Sequence, residues 1–173
     1  MRKRPHKKVL VIRTPRCCPQ TPTPSPDPPP TADATNDNAN IGLNSAVGPN
    51  PDGTIPFLIN FTINGSSISH TRGSSQIFLQ QGVYSVTYDY QVTLPGGNVL
   101  ITLQGFLDNV VQTPLNSGAG TSSPFLGDTT GFGAGSAVIN VIGTQQALTF
   151  KVGPGFPPFG SFFTFSVQII KLS

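Results

Sequence analysis

The sequence predicts an all-β protein: an antiparallel jelly-roll sandwich of about eight strands behind an extended N-terminal arm. Three observations carry that prediction. Gly and Pro supply 19 and 18 of the 173 residues, and both disfavour helix interiors, Gly through backbone entropy and Pro through its missing N–H. The remainder is rich in Val, Ile, Thr, Phe, Ser and Asn, the residues of strands and turns. Segments alternating apolar and polar residues with period two follow one another between turn signals.

The arm is predicted over residues 1–40. Its tip is basic, with Arg2, Lys3, Arg4, Lys7, Lys8, Arg13 and Arg16. Within it, Val9, Leu10, Val11 and Ile12 make an apolar tetrad, a connector strand suited to adding to a sheet edge of a neighbour. Cys17 and Cys18 follow. Adjacent cysteines strain the ring that would join them, so their natural partners are cysteines of other chains, in an intermolecular disulfide. Unpaired thiols and metal or thiol chemistry are the alternatives. Pro occupies positions 19, 22, 24, 26, 28, 29 and 30. That run favours a polyproline II rod spanning roughly 35–40 Å. Residues 31–40 are small and polar, the composition of a flexible spacer.

The body is predicted over residues 41–173. A strand is expected over 55–63, closed by the turn Asn64-Gly65. A short strand is expected over 76–79. The clearest strand covers 83–94, where Tyr84, Val86, Tyr88, Tyr90, Val92 and Leu94 alternate with Ser85, Thr87, Asp89, Gln91 and Thr93. One face of it is therefore buried and the other polar. Pro95-Gly96-Gly97-Asn98 makes a turn into a strand over 99–107, and Asp108-Asn109 leads into one over 110–113. Residues 117–135, rich in Gly, Ser and Thr and carrying Phe125, Leu126 and Phe132, are expected to be a loop. Three strands over 137–142, 147–152 and 161–172 complete the body. In the last, Phe163, Phe165, Val167 and Ile169 alternate with Thr164, Ser166 and Gln168.

Charge narrows the function. Charged residues are 10% of the chain, against roughly 25% in an average domain. After residue 16 the only bases are Arg72, Lys151 and Lys171, against seven Asp and no Glu. The basic charge thus belongs to the arm, and the body is mildly acidic. The apolar stretch near the start has four residues, short of the about 7–15 of a secretory signal. No run approaches the ~20 apolar residues of a membrane helix, so neither a signal peptide nor a membrane partner is expected.

Catalysis finds no support in the residue pattern. His6 lies in the arm and His70 beside Arg72 in a polar segment, and no spacing pairs either with a second titrating group, as acid–base chemistry needs. No G-x-S-x-G elbow occurs. Gly131-Phe132-Gly133-Ala134-Gly135 lacks the spacing of a phosphate loop and is expected to be an inter-strand loop. Asp89, Asp108 and Asp128 are isolated in sequence, whereas calcium takes six to eight oxygens; turn and surface acids are expected. No enzyme, cofactor or metal is predicted.

The body resembles the tumour-necrosis-factor-like, complement-q-type jelly roll, most closely the C-terminal heads of collagen-like spore-surface proteins of the BclA type. The residues that carry the resemblance are Gly82-Val83-Tyr84-Ser85-Val86-Thr87-Tyr88, Ile101-Thr102-Leu103-Gln104-Gly105, Ser136-Ala137-Val138-Ile139, Leu148-Thr149-Phe150-Lys151-Val152 and the closing Phe165-Ser166-Val167-Gln168-Ile169-Ile170-Lys171-Leu172. The match spans roughly residues 55–173 and no collagen-like repeat accompanies it. The resemblance implies a non-enzymatic homotrimer on a cell or spore surface. Trimer or core packing is then expected of Tyr84, Val86, Tyr88, Tyr90, Phe163, Phe165, Val167 and Ile169.

With the arm in place of a collagen stalk, the chain is similar to subunits of endospore appendages. That similarity implies a self-assembling fibre subunit of the spore surface or exosporium, whose arm docks into the next trimer. Two alternatives stand beside it. One is a trimeric binding or adhesin head, using the 117–135 segment and anchored by its arm to another surface protein. The other is a capsid-type protein whose basic arm binds nucleic acid; the shortness of the basic cluster makes this the weaker.

Overall fold

The computed structural model describes residues 37–95, 99–121, 128–153 and 162–173. Eight strands are present: β1 (Asn38–Val47), β2 (Ile59–Asn64), β3 (Ile68–His70), β4 (Ile77–Pro95), β5 (Val99–Leu107), β6 (Val110–Thr121), β7 (Asp128–Val152) and β8 (Phe162–Lys171). All pairings are antiparallel. The order across the sheet is β2-β1-β8-β4-β7-β5-β6, with β3 on β4.

One break turns this ribbon into two layers. Gln80 pairs with Gln145 and Gly82 with Val141, so residues 142–144 stand opposite Gln81 alone. A bulge of that kind bends both strands together, and strands switch sheets at such corners. Gly82 takes a φ of 151° there, a conformation open to glycine. The first layer is β2-β1-β8 with residues 83–95 of β4 and 128–141 of β7. The second is β3, β5 and β6 with residues 77–80 and 145–152. The layers face each other: the Phe150 ring of the second lies 5.0 Å from Tyr88 and 5.1 Å from Phe165 of the first.

The period-two pattern sets which side chains fill the space between. Tyr84, Val86, Tyr88, Tyr90, Val92 and Leu94 are at most 3% exposed. Facing them are Phe57, Leu103, Leu115, Leu148 and Phe150, each fully buried. Leu115 sits in a second bulge, where residues 113–116 stand opposite Gln104 between the pairs Leu103↔Ser117 and Gly105↔Gln112. Its side chain fills the space over Gly105, where a Cβ would come 2.6 Å from Leu115 Cβ.

Several sequence expectations are corrected. Residues 38–40, expected in the spacer, open β1, which lies between β2 and β8. The strands expected over 76–79 and 83–94 are one strand, because Gly82 absorbs the bend. The expected loop over 117–135 is strand at both ends: 117–121 closes β6 and 128–135 opens β7. Its cause is aromatic packing. A Cβ on Gly133 would overlap the Tyr90 ring, and one on Gly135 would come 2.5 Å from Tyr88 Oη. These glycines let β7 lie flat on the tyrosines of β4.

Candidate functional site

The residues expected to pack in the trimer or the core lie in the core of the sandwich. Tyr84, Val86, Tyr88, Tyr90, Phe163, Phe165, Val167 and Ile169 are all between 0% and 3% exposed, in the sandwich core. Their hydroxyls are spent internally. Tyr84 Oη donates to the Gln80 carbonyl at 2.8 Å and Tyr88 Oη to the Leu115 carbonyl at 2.8 Å. Ser117 Oγ donates to Tyr90 Oη at 3.4 Å. Burial pushes all three phenols above their ordinary value. These side chains are therefore not available for a contact with another molecule. The connector residues Val9, Leu10, Val11 and Ile12, the cysteines Cys17 and Cys18, and the basic tip lie outside the described residues.

The isolated acids are not gathered. Asp89 is exposed on the outward side of β4. Asp128 pairs with Pro95 at the end of β7, six residues along the ladder from Asp89. Asp108 occupies the β5–β6 turn, where it and Asn109 have φ of 47° and 65°, and its carboxylate accepts the Ala147 N–H at 2.8 Å. Among the described residues no group of three or more His, Cys or Asp is placed to hold a metal ion.

His70, in the polar segment beside Arg72, is half-buried at the end of β3. Its ring lies edge-on to Phe57 at 5.8 Å, its Nδ1 meets Asn60 Oδ1, and its Nε2 meets the Ser74 carbonyl at 3.1 Å. Burial pushes its pKa below the ordinary imidazole value, and the Ser74 carbonyl pulls the other way. These partners make it a structural latch between β2, β3 and the turn after them.

A second polar group marks where the chain enters the body. Asp37, just before β1, accepts the Ser67 N–H at 2.7 Å and the Ser66 N–H at 3.3 Å, and its own carbonyl accepts the Lys171 N–H at 2.9 Å. Hydrogen bonds from the Ser67 side chain and then its backbone hold the Asp37 carboxyl below the usual range, and Lys171 adds to this. Gly65, with φ of 82°, leaves room for it: a Cβ there would overlap the carboxylate. The body is thus entered at one pole, beside the end of β8. The strand ends at residues 95, 99, 121, 128, 152 and 162 mark the other pole.

The outward face of the first layer carries exposed apolar side chains. On β7, Phe132, Ala134, Ser136, Val138 and Asn140 are exposed in alternation with inward residues. Phe132 and Val138 are 72% and 63% exposed, and Phe61 on β2 is 50% exposed. A cleft beside Phe132 is lined by Asp89, Gln91, Ala134 and Thr164. A continuing one runs past Asn40, Asp89, Thr164 and Ser166 to Phe61. The exposure of Phe132 was not legible in sequence, where it fell in a presumed loop; the glycines alternating at 131, 133 and 135 were the available signal.

No protein-family model matches the chain, and no curated protein sequence matches it. Solved structures do. The globular domain of zebrafish complement 1qA protein matches with a TM-score of 0.51 at 9% identity, over 79% of this chain and 98% of that one. The Eiger TNF from S. frugiperda matches with a TM-score of 0.53 at 14% identity, over 79% of this chain and 92% of that one. At such identities the likeness is one of fold. The body has the TNF/C1q-like jelly-roll head fold.

Proposed function

We propose that the chain is a structural subunit of a surface fibre, a homotrimeric jelly-roll head whose N-terminal segment connects it to the next unit. The observation that carries this reading is the pole at which the chain enters. Asp37 fastens the start of β1 between the β2–β3 turn and the end of β8, so a self-contained head begins where residues 1–36 end. The Tyr84 and Tyr88 hydroxyls are spent in the core. The resemblance to TNF/C1q-like heads supports the trimer, and the resemblance to appendage subunits supports a spore-surface fibre. In that reading Val9, Leu10, Val11 and Ile12 add as a strand to a neighbouring trimer, and Cys17 and Cys18 cross-link the joint.

Electron microscopy of the full chain beside a chain lacking residues 1–36 tests it. Fibres from the full chain and discrete trimers from the shortened one are expected. Discrete particles from both would overturn the connector and leave the N-terminal segment as an anchor to another surface protein.

A further inference from the structure

We propose that Asn64 is a site of self-modification: its side chain cyclises onto the Gly65 nitrogen and opens to aspartyl and isoaspartyl forms, undoing the clasp where the chain enters the body. Asn side chains are thermally labile. The cyclisation is easiest where the attacking nitrogen belongs to glycine, which has no Cβ to crowd it. Asn64 is the one Asn of the sequence that Gly follows. Both residues are exposed. Among the described residues the Gly65 N–H has no hydrogen-bond partner, so the nucleophile is left to water. Asp52-Gly53, the one Asp-Gly pair of the sequence, is the contrast. Gly53 has the same φ of 82°, but its N–H donates to the Asn50 carbonyl at 2.8 Å. The Asp52 carboxylate accepts the Thr54 hydroxyl at 2.7 Å. There both reacting groups are held in other bonds.

Water is the only reagent the conversion consumes. The Gly65 nitrogen attacks Asn64 Cγ; the N–Cγ bond forms, the Cγ–Nδ2 bond breaks, and ammonia leaves with the Gly65 proton. Water then opens the imide ring. Opening at Cγ gives aspartate. Opening at the main-chain carbonyl gives isoaspartate, whose main chain is longer by a methylene. In the unconverted chain Asn64 Nδ2 donates to Asn38 Oδ1 at 3.0 Å. Conversion replaces that donor by a carboxylate, which sets acceptor against acceptor. The new charge also stands beside Asp37, whose carboxylate lies where a Gly65 Cβ would be, and like charges side by side repel. A longer isoaspartyl chain shifts the Ser66 and Ser67 N–H groups that Asp37 now accepts. The start of β1 is thereby loosened with time. The device needs no partner and does not depend on the fibre reading.

The full chain, held at mildly alkaline pH beside the same chain in guanidinium, tests the proposal. Its peptides are read by mass and by enzymatic methylation of isoaspartate. The peptide carrying Asn64 is expected to show the amide-to-acid mass gain and to accept methyl groups before any other Asn peptide, folded and unfolded alike. Asn64→Gln loses both signals. Asp52 is expected to accept methyl groups in guanidinium only. A folded chain that keeps Asn64 intact while the guanidinium sample converts there overturns the proposal. Conversion of Asp52 in the folded chain as fast as in guanidinium overturns the selection by the glycine N–H. Asn64→Asp supplies one product directly. It is expected to lower the urea midpoint, and to lower it less on an Asp37→Asn background. Equal falls on the two backgrounds, or none on either, overturn the loosening of the entry by charge.

Discussion

Asp37, Asp52 and His70 each have one protonation state that the fold prefers, and all three preferences point the same way with pH. The Thr54 side chain and then its backbone N–H hold the Asp52 carboxyl below the usual range, as Ser67 does for Asp37. Such a carboxylate stabilises the fold fully above about pH 3.9, its unfolded value, and the contribution is lost as pH falls through the folded value. Burial lowers the His70 value. The unfolded chain therefore binds that proton first, and the contribution of His70 is complete above about pH 6.5 and lost as pH falls below it. The urea midpoint is expected to fall between pH 8 and pH 5, and again between pH 5 and pH 3. His70→Gln should remove the first fall and leave the second. A wild-type midpoint that stays level from pH 8 to pH 5 would show that His70 carries no such load.

Among the strands, β4 and β7 are the elements on which the sandwich turns, and Gly82 is the residue that lets them turn. Beyond its positive φ, a Cβ there would come 2.5 Å from the Ser173 carbonyl oxygen and 2.7 Å from Lys171 Cε. The Val83 N–H donates to the same Ser173 oxygen at 2.9 Å, so the C-terminus cannot retreat without losing a ladder bond. Gly82→Ala is expected to cost about 1–3 kcal/mol through backbone strain, with overlap adding to it. Its midpoint in urea should fall at unchanged slope. Gly73→Ala is a useful comparison: it has a φ of 86° and open space around its Cβ, so it reports the backbone cost by itself. Equal losses at the two sites would mean that the corner does not depend on the close approach at Gly82.

The head as a whole closes by pairing its first strand with its last, Asn38 with Ile170 through Val47 with Phe163. Such pairing is the most non-local among the described strands, and without β1 the described neighbour of β8 is β4. A chain beginning at residue 37 is expected to melt as one cooperative unit. A chain beginning at residue 48 lacks Ala39, Ile41 and Leu43 from the core and exposes the edge of β8; it is expected to lose several kcal/mol or fail to fold. Circular dichroism melts of the two check this. Cooperative melting at the same temperature in both would show β1 to be an appendage and not part of the core.

Much of this architecture was legible along the chain. The alternation of Tyr84 to Leu94 and of Phe163 to Ile169 is a local property, two residues per repeat, and it identified the buried side of β4 and β8 correctly. The turns at Asn64-Gly65 and Asp108-Asn109 announced themselves through residues that tolerate a positive φ. Three things were not legible. Residues 38–40 look like spacer because β1 has little apolar content until Ile41, and only its place between β2 and β8 makes it strand. The glycines at 133 and 135 look like loop until the tyrosine rings beneath them are known. Above all, alternation names a buried face without saying what buries it. Tyr84, Tyr88, Phe163 and Phe165 could have packed against another copy as well as against the second layer. The bulge opposite Gln81 folded that layer over them, and so left the Phe61–Asp89–Phe132 side facing outward. Periodicity is written residue by residue, whereas the partner of a face is set by pairings between positions far apart in the chain, such as Gln80 with Gln145 and Leu103 with Val152.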